Sequence, residues 1–224
     1  MLMYHAVGGK ALNDLTGTYS LSKTHFDLHV AALEAMRSKG LLVPVPFGTY
    51  HPRGVTITFD DGYRDSVEAA QQIAARGFFV TVFVITSRVG TTPEFVSASE
   101  LRDLSAHPRI TIGAHGESHQ RLCSLHTPKL REELVRSRDF LAEIFGRVVE
   151  TMSYPHGSYD SRVLAEVEAA GYRWAATSRC GFYRLNSPPL EIPRLDVWSG
   201  DSATNLCDLL SGACNYLGWN ARWS

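Results

Sequence analysis

The sequence predicts an α/β protein built on a parallel sheet. Three observations predict it: apolar runs of strand length alternate with stretches of helical period, about seven such repeats fit into the 224 residues, and polar side chains follow most of the runs. The expected strands are residues 2–7, 55–59, 78–85, 110–114, 151–154, 173–177 and 191–197. The run at 78–85 is far short of the roughly 20 residues that cross a bilayer, so it reads as a buried strand. Residues 22–39 carry Phe26, Val30, Leu33 and Met36 at helical spacing. Ser97-x-x-Glu100 is a capping box opening a short helix, and Thr127-Pro128 predicts an N-cap followed by a first-turn proline. Gly40, Gly77, Gly146 and Gly171 stand where helices should stop. Val43-Pro44-Val45-Pro46 and Ser187-Pro188-Pro189 read as loops or strand edges, because proline cannot donate to a ladder. An open doubly wound sheet and a closed barrel both fit, and no linker or repeat divides the chain, so residues 1–224 read as one domain.

Composition narrows the partners. Twenty-two Lys and Arg balance 23 Asp and Glu, a formal charge of −1, which offers no basic field to nucleic acid or to an anionic membrane. Hydrophobic residues at 44% and charged residues at 20% are those of an ordinary folded domain. The start lacks a basic n-region and an h-region, which predicts a cytoplasmic protein without membrane insertion. Cys123, Cys180, Cys207 and Cys214 show no Cys-x-x-Cys pair and are expected to be reduced thiols. Oligomeric state leaves no trace in the sequence.

A parallel sheet gathers its chemistry at the carboxyl ends of its strands. Five of the seven expected strands end usefully: in His5, in Asp60-Asp61-Gly62, in the segment from His115 to His119, in Tyr154-Pro155-His156-Gly157, and in Arg194 with Asp196. Two adjacent carboxylates repel unless a cation lies nearby, although an isolated Asp-Asp-Gly is as often a solvated turn. His115 and His119 are four apart, so on a helical turn both imidazoles face one side and can grip one divalent ion. A lone His-x-x-x-His is more often surface than site, and the Glu117 between them occupies neither zincin position, which disfavours a metalloprotease. Asp61 is the obvious third ligand. Two histidines and a carboxylate leave coordination positions open, as a catalytic ion requires, and Asp60 is then placed to act as base.

Thr58-Phe59-Asp60-Asp61-Gly62, His115-x-x-x-His119 and Tyr154-Pro155-His156-Gly157, in that order, resemble the polysaccharide deacetylases of the NodB-homology type, carbohydrate esterase family 4. The resemblance implies a distorted (β/α)7 barrel and a divalent metal, usually zinc, with cobalt, nickel or manganese as substitutes. It also implies removal of acetyl groups from an N-acetylated carbohydrate. Carried over, Asp60 is the base, and Asp61, His115 and His119 are metal ligands. The His156 amide, beside Pro155, serves the oxyanion.

The chain departs from the family pattern in several places. Gly116 stands where many members have Ser or Thr, Ser153 where many have Arg, and His156 where many have Tyr. Arg194 is the candidate to replace the missing guanidinium near Asp60. No histidine lies beyond His156, so the late Leu-x-His acid is absent. Tyr4-His5 resembles the N-terminal Tyr-His of the circularly permuted subgroup that includes poly-N-acetylglucosamine deacetylases, which makes His5 the proton donor. Tyr63, Tyr154 and Trp198 are candidate sugar platforms, although such rings are more often core. His25 and His29 read as surface or packing, and the cluster Arg131, Glu132, Glu133 and Arg136 reads as a solvated helix face. A carbohydrate O-acetyl esterase and a catalytically silent sugar-binding protein remain as rivals.

Overall fold

The computed structural model describes residues 1–212; Cys214 and the end of the expected domain lie outside the described residues. Seven strands, β1 (Leu2–Tyr4), β2 (Ile57–Phe59), β3 (Val80–Val84), β4 (Ile110–Ala114), β5 (Thr151–Ser153), β6 (Trp174–Cys180) and β7 (Ile192–Asp196), close into a barrel. Each pairs in parallel with its neighbours in chain order, and β1 closes the ring by pairing with both β2 and β7. The choice between open sheet and barrel falls to the distorted (β/α)7 barrel. Its distortion is local: β4 and β5 share the single pairing Ala114↔Met152, and the register between β6 and β7 shifts between Ala176 and Cys180.

Among the described residues six α-helices surround the barrel: α1 (Lys23–Ser38), α2 (Arg64–Ala75), α3 (Ala98–Ser105), α4 (Thr127–Phe145), α5 (Ser161–Ala169) and α6 (Ala203–Ser211). Ser22 caps α1, whose Phe26, Val30 and Leu33 are buried, and Ser97 with Glu100 forms the expected capping box on α3. The cap of α4 differs by one residue from expectation. His126, rather than Thr127, is the N-cap, its Nδ1 accepting the Lys129 N–H, because an imidazole nitrogen can accept that hydrogen bond as a hydroxyl does. Among the described residues no helix is long and apolar enough to cross a membrane. Among the described residues no disulfide joins Cys123, Cys180 and Cys207 to one another.

Two expected strands break where the chain leaves the barrel. The first is interrupted at His5, after which Ala6–Val7 pairs with Ser20–Leu21 in a separate ribbon. The second is interrupted at Thr56, whose hydroxyl donates to the Val45 carbonyl at 2.6 Å, while Gly54–Val55 pairs with Val43–Pro44. Tyr4, Phe26 and Phe59 form a ring cluster between α1 and the barrel, with centroids 5.5–6.0 Å apart.

His29 belongs to this packing. It is fully buried, with Nε2–H donating to the Asp201 carbonyl at 2.7 Å and Nδ1 lying 3.3 Å from the Tyr4 hydroxyl. His25, its exposed neighbour on α1, places Nδ1 3.0 Å from the Ser199 carbonyl. Burial lowers the pKa of His29, so the native state holds fewer protons than the unfolded chain. Its contribution is therefore complete above the unfolded value of about 6.5 and is lost as pH falls below it. Urea unfolding at pH 7.5 and 5.5 should show this loss, and His29→Gln should flatten it.

Candidate functional site

Parallel winding brings the carboxyl ends of all seven strands to one cavity of about 570 Å³, from His5 after β1 to Asp196 at the end of β7. The Asp60 N–H continues the ladder by donating to the Tyr4 carbonyl at 2.9 Å. The chain then reverses through two left-handed residues, Asp61 (φ 74°) and Gly62 (φ 79°). Glycine is required at the second, since a β-carbon there would lie 2.9 Å from Val84 Cγ1. The result separates two adjacent carboxylates that would otherwise compete for one position.

Segment 115–119 is not the helical turn that its spacing predicts. It is a loop in which Gly116 (φ 71°) and His119 (φ 62°) are both left-handed, and this path, rather than helical periodicity, turns the second imidazole back toward the first. The His115 and His119 rings lie 4.8 Å apart, and their Nε2 atoms lie 3.5 and 3.4 Å from the same Asp61 Oδ1. His115 Nδ1 donates to the Ser153 carbonyl at 2.9 Å; a carbonyl only accepts, so Nδ1 carries a proton and Nε2 is the nitrogen that faces Asp61.

Three ligand atoms of Asp61, His115 and His119 fall within 4.8 Å of one another. Tetrahedral donors at zinc bond lengths of about 2.0–2.2 Å are about 3.4 Å apart, so this donor set fits a small divalent cation. Burial, with the neighbouring His115, pushes His119 down to about 3, leaving it the neutral imidazole that a metal ligand must be.

Asp60 is 2% exposed and lines the same cavity, its Oδ2 3.8 Å from His115 Nε2. Arg194 grips it with both nitrogens, Nη1–Oδ1 at 2.7 Å and Nη2–Oδ2 at 2.8 Å. Arg194 is equally buried and donates also to the Thr177 carbonyl and to the hydroxyls of Thr58 and Ser153. Ser153 in turn donates to Asp60 Oδ2 at 3.0 Å. Burial alone raises the pKa of Asp60; the Arg194 guanidinium and then His115 outweigh it, holding the carboxyl well below the ordinary range. The guanidinium that does not come from position 153 thus reaches Asp60 from β7.

His5 lines the same cavity and packs on the Tyr19 ring at 4.5 Å. Among the described residues, its buried Nδ1 and the buried Oδ1 of Asp196 have no hydrogen-bond partner. Burial raises the pKa of Asp196, whose other oxygen accepts the Trp198 indole N–H at 2.9 Å. Trp198 therefore holds Asp196 rather than lining the cavity, contrary to its expected use as a platform. Tyr154 lines the cavity but is 1% exposed, stacks on Tyr159 and donates its hydroxyl to the Leu190 carbonyl, so its ring is floor rather than platform. Tyr63 is likewise buried against Phe95, its hydroxyl accepting the Leu12 N–H.

Pro155 is buried and begins a short turn in which His156 is left-handed (φ 56°). The His156 side chain lies 4.3 Å from the His119 ring and donates Nε2–H to the His119 carbonyl at 3.1 Å. Sequence reasoning missed Tyr19, and it misread Glu133. Arg136 is solvent-exposed as expected, but Glu133 is fully buried, because it falls on the stripe that α4 turns inward with Leu130, Leu134, Ser137 and Leu141.

These features define a class: parallel barrels with a two-histidine, one-carboxylate pocket beside an arginine-held acid. The polysaccharide deacetylase family model matches residues 48–175, more than half of the chain, and the chain belongs to that family. YxkH of Bacillus subtilis strain 168, assigned by name to the polysaccharide deacetylases, is 28% identical over 151 residues, 67% of this chain and 53% of its own. The chain thus spans about half the length of that curated relative. The Streptococcus pyogenes deacetylase PplD, solved in complex with acetate, superposes with a TM-score of 0.79 at 19% identity, covering 93% of this chain and 96% of that one. IcaB from Ammonifex degensii gives 0.73 at 20% identity, with 93% and 95% covered. At such identities these two structures speak to the fold, and the fold they share is this barrel.

Proposed function

We propose that the protein is a metal-dependent hydrolase that removes the acetyl group from an N-acetylated sugar, releasing acetate and a free amine. The observation that carries this reading is the convergence of Asp61, His115 and His119 beside the arginine-held Asp60 in an open cavity. Family membership supports it. Asp61, His115 and His119 would hold a divalent cation, zinc by its donor set, which would supply Lewis-acid polarisation of the acetyl carbonyl and acidify water at the site.

The remaining steps belong to the chain. Asp60, kept ionised by Arg194, takes a proton from the attacking water as its oxygen bonds to the acetyl carbon. The His156 backbone N–H is the proposed donor to the developing oxyanion. His5 gives a proton to the amine nitrogen as the C–N bond breaks, and Asp196 lines the same cavity. Purified protein should contain close to one zinc per chain and release acetate from N-acetylated chito-oligosaccharides. Protein with neither property would be the silent sugar-binding alternative.

His5→Ala separates amide from ester hydrolysis. An amine needs a proton to leave and an alkoxide needs it less, so the variant should lose about 10²–10⁴-fold on the acetamide and much less on an O-acetyl sugar. Equal losses on both substrates would count against the donor role.

A further inference from the structure

We infer that Glu133 is a positioning residue: its carboxylate, reaching in from α4, holds the loop between His115 and His119 in the shape that turns both imidazoles toward one cation. This rests on the cation site proposed above and names what forms that site in advance of the ion.

Glu133 is fully buried, and among the described residues no Lys or Arg pairs with it. A carboxylate in such a place is costly unless hydrogen-bonded. Its bonds go to one residue of the loop. Oε1 accepts the Ser118 backbone N–H at 2.6 Å, and the Ser118 hydroxyl lies 2.9 Å from Oε2 and 3.1 Å from Oε1. Ser118 immediately precedes His119, whose left-handed backbone is disfavoured for a residue with a β-carbon.

The same carboxylate explains the glycine after the first histidine. A β-carbon at Gly116 would meet Glu133 Oε1 at 3.1 Å and Pro155 Cγ at 3.2 Å, and φ there is +71°. On the far side of the loop the carbonyls of Gly116 and Glu117 accept the N–H groups of Thr86 and Ser87. Arg136, one position short of a helical turn beyond Glu133, reaches Glu117 at 3.3 Å. The loop is therefore clamped between α4 and the turn after β3. A leucine on that helix stripe would bury more apolar surface at less cost; what the carboxylate adds is acceptors aimed at the loop backbone.

The test is zinc affinity of the full chain, measured by competition with a chromophoric chelator, alongside the thermal midpoint of the metal-free protein. Glu133→Ala should raise the zinc Kd on the order of 10–100-fold. Ser118→Ala, which keeps the backbone bond, should raise it roughly threefold to tenfold. Glu133→Gln keeps an acceptor for the Ser118 N–H and should recover most of the affinity lost in Glu133→Ala. Should Glu133→Ala fail to fold, Ser118→Ala decides the matter. Zinc affinity unchanged in Glu133→Ala, or in Ser118→Ala where that variant decides, overturns the inference, as does a lowered thermal midpoint with no change in affinity. Zinc bound with these sensitivities but no acetate released leaves Glu133 in its role and defeats only the proposed activity.

Discussion

Asp60→Asn should abolish acetate release, a loss of about 10²–10⁴-fold, while the protein still binds its cation. The asparagine keeps the size of the side chain and an oxygen for Arg194, but it cannot take a proton. The proposed ligands are other atoms, those of Asp61, His115 and His119, so elemental analysis of the variant should still find the ion. His119→Ala is the counterpart: it removes a ligand and should lose the metal together with the activity. Turnover retained in both variants would sink the assignment of base and ligands together.

Arg194→Met should be the most destabilising single change in the barrel interior, by about 3–5 kcal/mol at neutral pH, because it strands a buried carboxylate. The pH dependence gives the signature. In the wild type Asp60 lies below its unfolded value of about 3.9, so its contribution is present above that value and is lost as pH falls through it. Without the guanidinium, burial dominates and raises the carboxyl; the penalty is then largest at high pH and shrinks as pH falls and the group is protonated. Urea unfolding between pH 4 and 8 should show the variant approaching the wild type toward acid. Arg194→Lys should not restore stability, since an ammonium cannot supply the two parallel bonds. The double variant Asp60→Asn with Arg194→Met should recover part of the loss; a double variant as unstable as the sum of both singles would deny that the pair is coupled.

Much of this architecture was legible from the chain alone, because buried strands announce themselves as apolar runs and helices as capped periodic stretches. The boundaries slipped at His5 and Thr56, where the chain leaves one sheet for another, and nothing local marks such a departure. The spacing of His115 and His119 pointed to two imidazoles that do converge on Asp61, but through another conformation: two left-handed residues do the work assigned to a helical turn. Arg194 was visible only as a polar residue in an apolar strand, and its bidentate grip on Asp60 depends on barrel closure. Glu133 looked solvated because it lies among charges, yet counting from Leu130 and Leu134 puts it on the inward stripe. Tyr63, Tyr154 and Trp198 could be ranked as platforms or core only by burial, which a single sequence does not contain.

Strands β4 and β5 share one backbone pairing, and this seam is bridged by a side chain, His115 donating to the Ser153 carbonyl. A cylinder breathes first where its ladder is thinnest, so amide hydrogens flanking Ala114 and Met152 should exchange with deuterium ahead of those between β3 and β4, which share five pairings. The imidazole that stitches the seam is the same one that turns its other nitrogen toward Asp61, so loading that nitrogen with the proposed cation would restrain the barrel's thinnest joint. A cation held by the proposed ligands would thereby couple occupancy of the pocket to the breathing of its wall, and slowed exchange along that joint would report its capture without any substrate present.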